Sequence, residues 1–398
     1  MGAQRQEVVV LGLGAMGAAT LHQLARRGVK ALGIDRRRPP HVFGSTHGES
    51  RITRRAIGEG LAYVPLALRS HEIWREIEAE TGAKLLHEVG CLTISRAEDE
   101  VDRPGRRGFI RRARAAAEAF GLDHEILSAD DIRRRFPQFA PQDDEIGLYE
   151  PGAGYVDPEA CVAAQLKLAQ AAGAEIRTDL RVTGLEREAE GLLLRTDQGE
   201  IRARRLILSA GAGAGELLGA PYDRLLKPTR QMMHWFAPDP EWESRWAAGP
   251  SFIWLYGSDP EDFFYGFPAR GGAVKAADEH YGAAVDPDQV DRETPESASL
   301  AMFDRRLAPR LRGIGRRRVK AATCLYTAAP DSRFLIDRSP ENPDLLILSP
   351  CSGHGFKHSA AIGEAAAELI AEGASRLDLS EFSAAHLLAK AEEGPASL

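Results

Sequence analysis

The sequence predicts an α/β (α+β) two-domain protein, a Rossmann-type nucleotide domain interrupted by a second, substrate-binding domain. Three observations carry that expectation. The chain opens on a β-α-β unit built around Gly12-x-Gly14-x-x-Gly17. Apolar strands return at 201–208 and 345–348, each running into a turn rich in small residues. Between 222 and 320 the composition shifts to aromatics punctuated by Pro and Gly, the pattern of an antiparallel sheet lining a pocket. At 398 residues and 43% hydrophobic content the chain is long enough for two domains with a substantial core.

Each element has its reason. Glu7 to Leu11 is a short, mostly β-branched strand. Gly12 makes the tight turn, Gly14 lets the backbone approach a pyrophosphate, and Gly17 lets the following helix pack on the strand. That helix runs to Arg27, and its N-terminus offers unpaired N–H groups and a positive dipole end. The second strand, Val29 to Ile34, ends on Asp35, placed to accept hydrogen bonds from a ribose and to repel a 2′-phosphate. The unit asks for a dinucleotide, FAD or NAD, rather than NADP. Pro65 opens a helix toward Glu80 that stops at Thr81-Gly82. Leu85 to Ser95 reads as one strand, and Arg106 to Ala119 as a basic helix whose arginines form a solvated face. Ser128-Ala129-Asp130-Asp131 resembles a capping box. Strands follow at 176–178, 182–186, 192–196 and 201–208, the last entering Ser209-Ala210-Gly211-Ala212-Gly213, where backbone can lie against a flat cofactor. Strands near 320–326 and 345–348 and a helix over 360–372 close the pattern.

The net charge of -7 argues against general nucleic-acid binding. Cys91, Cys161, Cys324 and Cys351 are widely spaced with no C-x-x-C pair, which fits a reducing compartment. With no basic-then-apolar leader and no run long enough to span a bilayer, the expectation is a cytoplasmic protein with no membrane partner. No metal-ligand pattern is assigned.

Four segments concentrate polar groups. In Gly44-Ser45-Thr46-His47-Gly48-Glu49-Ser50-Arg51-Ile52-Thr53-Arg54, the two arginines would share a face at helical spacing, and guanidinium is the natural bidentate partner of a carboxylate. Phe264-Tyr265-Gly266-Phe267-Pro268 precedes Lys275, Glu279 and His280. A lysine there is either a solvated tip or, if buried near a cofactor, a fixed positive charge. Cys324-Leu325-Tyr326-Thr327 holds a cysteine that on its own reads as a small core residue. Cys351-Ser352-Gly353-His354-Gly355-Phe356-Lys357-His358 is a strand-loop-helix suited to an electron-rich ring edge or an anionic substrate.

In this order and spacing, these segments resemble the monomeric sarcosine oxidase and N-methyltryptophan oxidase family of amine oxidases, from Val8 to about Ile370. The resemblance implies a glutathione-reductase-like FAD domain over 1–85, 150–221 and 321–390, with an inserted mixed-sheet substrate domain over 86–149 and 222–320. It implies FAD joined by a thioether from Cys324 to the 8α-methyl carbon. Arg54 and Lys357 would clamp a substrate carboxylate, Arg51 would lie over the flavin, Lys275 would activate dioxygen, and Tyr265 and Tyr326 would line the cavity. The cofactor contacts expected in all are Gly12, Gly14, Gly17, Asp35, Ser45, Thr46, Arg51, Val182, Gly211, Cys324, Gly353, Gly355 and Lys357.

The implied reaction is oxidative demethylation of an N-methyl amino acid, sarcosine first, by a monomer that uses dioxygen and releases peroxide. N-methyltryptophan or a cyclic imino acid are alternative substrates, and an FAD dehydrogenase, an NAD dehydrogenase or a flavin-binding scaffold are alternative classes. Two departures stand out. The family's pocket histidine corresponds to Glu279, with His280 next to it as a one-residue replacement, and the usual Gly-Ala-Trp is Gly211-Ala212-Gly213.

Overall fold

The opening strand, Gln4–Leu11, lies at the centre of a sheet and is paired in parallel with Ala31–Ile34 on one side and Gly199–Leu208 on the other. This architecture comes from a computed structural model that describes residues 4–101, 103 and 106–392. Residues 1–3 of the first expected FAD segment and 102, 104 and 105 of the expected inserted segment lie outside the described residues. A parallel strand covered on both faces needs an unbroken apolar run, and Val8-Val9-Val10-Leu11 supplies it. Val8 and Val10 pack into one core with the helices. Val9 and Leu11 pack into another, with Leu192, Leu194 and Leu208.

Beyond Ala31–Ile34 the sheet adds Glu175–Arg177 in parallel. The end of Gly199–Leu208 pairs in parallel with Leu345–Ser349, which pairs antiparallel with Leu335–Arg338. Its beginning carries an antiparallel hairpin of Val182–Arg187 and Leu192–Thr196. The helices Ala15–Arg26, Pro158–Ala171 and Ser359–Ala371 pack together over one face. Gly363 lets the first and last approach closely, since a Cβ there would sit 2.4 Å from Ala19 Cβ.

A second eight-stranded sheet runs in the order Ile314–Ala328, Lys227–Pro238, Val274–Ala277, Phe263–Gly266, Ser251–Leu255, Cys91–Arg96, Glu145–Glu150, Glu125–Ser128. Its neighbours are antiparallel except for Ser251–Leu255 beside Cys91–Arg96, so the sheet is mixed. Most aromatics of this region do not line a pocket, contrary to the expectation from composition. Phe236, Phe252, Trp254 and Phe264 point inward from their strands and form a core with Phe139 and with Trp246 of the helix Glu243–Ala247. Trp254 Nε1 donates to the buried Glu145 carboxylate at 2.9 Å, which satisfies both polar groups.

A third, small antiparallel sheet consists of Arg51–Thr53, Gly154–Val156 and Leu86–His87. The expected single strand over 85–95 is therefore two. Gly90, at φ +80°, turns the chain so that Leu86–His87 and Cys91–Arg96 join different sheets. Ile314–Ala328 runs unbroken across residues 320 and 321, where the sequence reading divides the domains. The capping box forms as written: Asp131 N donates to Ser128 Oγ, and Ser128 N to the Asp131 carboxylate.

Candidate active site

At the C-terminal end of the central strands the chain walls a cavity of about 300 Å³. Gly12, Gly14, Asp35, Ser45, Thr46, Arg51, Val182, Gly211, Tyr326, Gly353 and Gly355 all line it. Gly12 sits at φ +88°, and a Cβ on it would meet Ser209 O at 2.4 Å. Gly14 has no side chain to cap the helix it begins; Ala15 N donates to Thr46 Oγ1 at 3.3 Å, and the helix start borders the cavity. Asp35 is buried, with its carboxylate held by Leu13 N and Arg37 N, both at 2.8 Å. A glycine that cannot carry a Cβ, a helix start bordering the cavity and a fixed acid at the second strand end are the set a dinucleotide requires. A Cβ on Gly213 would meet nothing within 4 Å, so the turn that lacks the family's tryptophan is open.

Three expected cofactor residues stand off this wall. Gly17 acts one layer behind, where a Cβ would lie 1.7 Å from Gly12 O and 2.7 Å from Ser209 Oγ. Cys324 is 1% exposed, with Sγ 3.5 Å from Arg51 Nη2 and 3.6 Å from Ser45 O. Lys357 belongs to a second cluster described next. Cys351, by contrast, does line the cavity, and its Sγ accepts from Thr327 N at 3.3 Å.

Arg51 and Arg54 do not share a helical face. Arg51–Thr53 is a strand, and residues three apart on extended chain point to opposite sides. Arg51 faces the cavity, donating to Ser50 O and Ser45 O, each at 2.8 Å. Arg54 turns away and is buried beside Phe109, donating to both oxygens of Glu59 at 2.8 and 3.1 Å. Lys357 Nζ reaches the same carboxylate at 3.4 Å and donates to His354 O at 3.0 Å. Among the described residues Arg54 Nε has no partner. Burial lowers Lys357 to about 8, with the Glu59 charge opposing. Burial pushes Glu59 up, but Arg54 and Lys357 outweigh it and hold the carboxyl well below its usual range. Glu59 was not singled out from sequence. Its only signal is a charged residue between Gly58 and Gly60.

Lys275 is buried and pairs in register with Trp235 on the next strand. Its Nζ donates to Gly48 O at 2.7 Å, Ser50 O at 2.8 Å and Ser50 Oγ at 3.3 Å, and lies 4.7 Å from the Phe267 ring centre. Burial, then the nearby Arg51, holds its pKa well below the lysine range. Tyr265 and Tyr326 meet hydroxyl to hydroxyl at 3.4 Å. Among the described residues no group of three or more His, Cys, Asp or Glu could hold a metal ion.

Residues 7–369 match the family described as FAD dependent oxidoreductase, DAO. The chain belongs to this family. It is 36% identical over 383 residues to the monomeric sarcosine oxidase of Bacillus sp. strain B-0618, covering 95% of each chain. It is 32% identical over 384 residues to the N-methyl-L-tryptophan oxidase of Yersinia pestis strain Pestoides F, covering 95% of this chain and 98% of that one. In the open form of NikD, described as an unusual amino acid oxidase, the fold matches at TM-score 0.81 and 26% identity over 96% of this chain and 98% of that one. The cavity's donor set is therefore that of an FAD-dependent oxidoreductase.

This flavoenzyme corrects two expectations. His280 does not enter the site. Its Nε2 lies 3.1 Å from Asp278 Oδ1 and its side chain is 35% exposed, because neighbours on extended chain face opposite ways. Glu279 points inward instead, where a Cβ on Gly353 would meet its Oε1 at 3.2 Å and the Tyr326 ring at 2.8 Å. Arg106 is not on a solvated helix face. The helix, Phe109–Ala119, begins after Gly108 at φ +58°, and Arg106 precedes it. Buried over the Phe263 ring, Arg106 pairs with Glu279 at 2.7 Å, and Tyr281 Oη donates to the same carboxylate at 2.8 Å.

Proposed function

We propose that this enzyme is an oxidase that demethylates N-methyl amino acids, sarcosine being the simplest, to the free amino acid and formaldehyde. The observation that carries the reading is the buried Arg54–Glu59–Lys357 cluster. Its two cations meet on one carboxylate and Arg54 Nε is unspent, so one anionic group is still called for. A substrate α-carboxylate is that group. FAD bound in the large cavity supplies the two-electron acceptor. Arg54 and Lys357 hold the carboxylate and fix the amine's approach. The hydroxyls of Tyr265 and Tyr326 bound the reacting C–N unit, in surroundings where burial raises Tyr265 to about 12. Such a wall disfavours an ammonium and favours the neutral amine that can react.

The imine product takes up water and releases formaldehyde. Dioxygen accepts the two electrons with two protons and leaves as hydrogen peroxide. Lys275 is placed to stabilise negative charge as it develops on oxygen. Cys324 is read as the covalent tether of the flavin, and the whole as a cytoplasmic monomer. Support for the substrate class comes from the sarcosine and N-methyltryptophan oxidases that this chain resembles over nearly their full length.

The test is anaerobic mixing of the holoenzyme with a panel of N-methyl amino acids, followed by admission of air. Bleaching of the flavin, then one peroxide per turnover, is expected. A flavin that no secondary amino acid bleaches refutes the reading.

A further inference from the structure

Next to the carboxylate cluster lies a second cavity, of about 270 Å³, whose wall includes Glu59, Arg106, Tyr281 and His354. It starts at Glu59, the carboxylate that Arg54 and Lys357 both touch. Sarcosine carries only hydrogen on its α-carbon and has no use for this space. Between this cavity and the flavin side stand Arg106 and Glu279, 8% and 4% exposed at their side chains. A buried ion pair contributes little net stability, so stability does not by itself explain its place beside a substrate pocket. Glu279 and Tyr326 both approach Gly353, which lines the flavin cavity, while Arg106 and Tyr281 lie on the second cavity.

We infer that the Arg106–Glu279–Tyr281 group is a side-chain subsite, and that it selects N-methyl amino acids with a neutral, hydrogen-bonding side chain such as an amide or hydroxyl. This rests on the proposed demethylation. Charge decides the class. The cations Arg54, Lys357, Arg106, Arg112 and Arg333 stand with the carboxylates Glu59, Glu279, Asp331 and Glu381, leaving one positive charge for one α-carboxylate. A second carboxylate or an ammonium on the side chain would stand uncompensated in a buried site. Farther along the wall Arg333 pairs with both Asp331 at 3.1 Å and Glu381 at 3.4 Å, and Arg112 on the same wall balances the second carboxylate. An aromatic or aliphatic side chain would cover guanidinium and carboxylate edges without meeting their hydrogen bonds.

The experiment compares kcat/KM of the holoenzyme for sarcosine and for N-methyl-L-serine, -asparagine, -leucine and -aspartate. The serine or asparagine compound is expected to exceed each of the others by about tenfold or more, the discrimination of one well-made hydrogen bond. In the double variant Arg106→Leu/Glu279→Leu the ratio of asparagine to leucine compound should fall by about tenfold or more. A ratio is independent of the fraction of enzyme that folds. Preference for sarcosine, leucine or aspartate overturns the inference and leaves demethylation standing, as does an unchanged ratio in the variant. Bleaching by none of the five overturns both, and the absence of any flavin reduction tells that failure apart.

Discussion

A simple carboxylate that occupies the proposed substrate-carboxylate site should lose affinity as pH rises through about 8. The reason is Lys357, 3% exposed, with Nζ 3.4 Å from Glu59 and bonded to His354 O. Burial brings its pKa to about 8, with Glu59 acting in the other direction. An incoming carboxylate favours the ammonium form, so the complex binds the proton more tightly than the free protein does. Binding is therefore complete below that pKa and weakens above it. About nine-tenths of the free protein carries the charge at pH 7 and about one-tenth at pH 9. A hydrogen bond to a charged group contributes about 1.5–3 kcal/mol, or about ten- to a hundredfold in Kd. The Kd of propionate, which does not itself titrate here, should rise by up to about tenfold per pH unit above 8. It should then level off where Arg54 alone holds the ligand. The assay is a titration of the flavin's visible spectrum with propionate between pH 6.5 and 10. Lys357→Met should bind at the weak plateau at every pH. A Kd constant from pH 7 to 10, or the same slope in Lys357→Met, would refute the reasoning.

Lys275→Met should keep anaerobic flavin reduction while slowing reoxidation by about a hundredfold or more in stopped flow, the scale of a lost oxyanion-type donor. Unchanged reoxidation would remove Lys275 from oxygen activation. Cys324→Ala should release its yellow colour on acid precipitation, where the wild type keeps it in the pellet. Colour retained by the variant would point to Cys351, the thiol that lines the cavity. Gly17→Ala places a Cβ 1.7 Å from Gly12 O, so it should lose FAD and melt several degrees lower, or fail to fold. A variant with full FAD content and unchanged Tm would contradict that geometry.

The nucleotide half was legible because its requirements are local. Gly12, Gly14, Gly17 and Asp35 lie within one β-α-β unit, where strand, turn and helix are contiguous in sequence. On the other side of the site the sequence singles out only residues in recognisable segments, such as Lys275, Tyr265 and Lys357. Arg106 escaped because a run of arginines before a helix looks the same whether the chain leaves solvent two residues early or not. Its burial depends on Glu279, 173 positions away. Glu59 escaped for the same reason, since its meaning comes from Arg54 and from Lys357, 298 positions away. The pairing of Arg51 with Arg54 failed on local grounds, because the segment adopts extended backbone and period two replaces period 3.6. His280 failed likewise, since a one-residue shift on extended chain reverses the direction of the side chain.

Two buried lysines, both with lowered pKa, illustrate why residue type alone does not assign a role. Lys357 shares Glu59 with Arg54, so part of the cost of its charge is met before any ligand arrives. It suits a substrate group that is anionic throughout the cycle. Among the described residues Lys275 has two carbonyls and a hydroxyl as hydrogen-bond partners, with Arg51 opposing its charge. Its proton is held most weakly when the neighbourhood is already positive, and more tightly when negative charge builds beside Arg51. It therefore suits a group that becomes anionic only transiently, as oxygen does on its first reduction. Neutralising the neighbour should reveal this coupling. In Arg51→Gln the pH above which oxygen reactivity falls should move upward, because the like charge that now depresses Lys275 is gone. A fall-off at the same pH in both proteins would mean that a group other than Lys275 sets it.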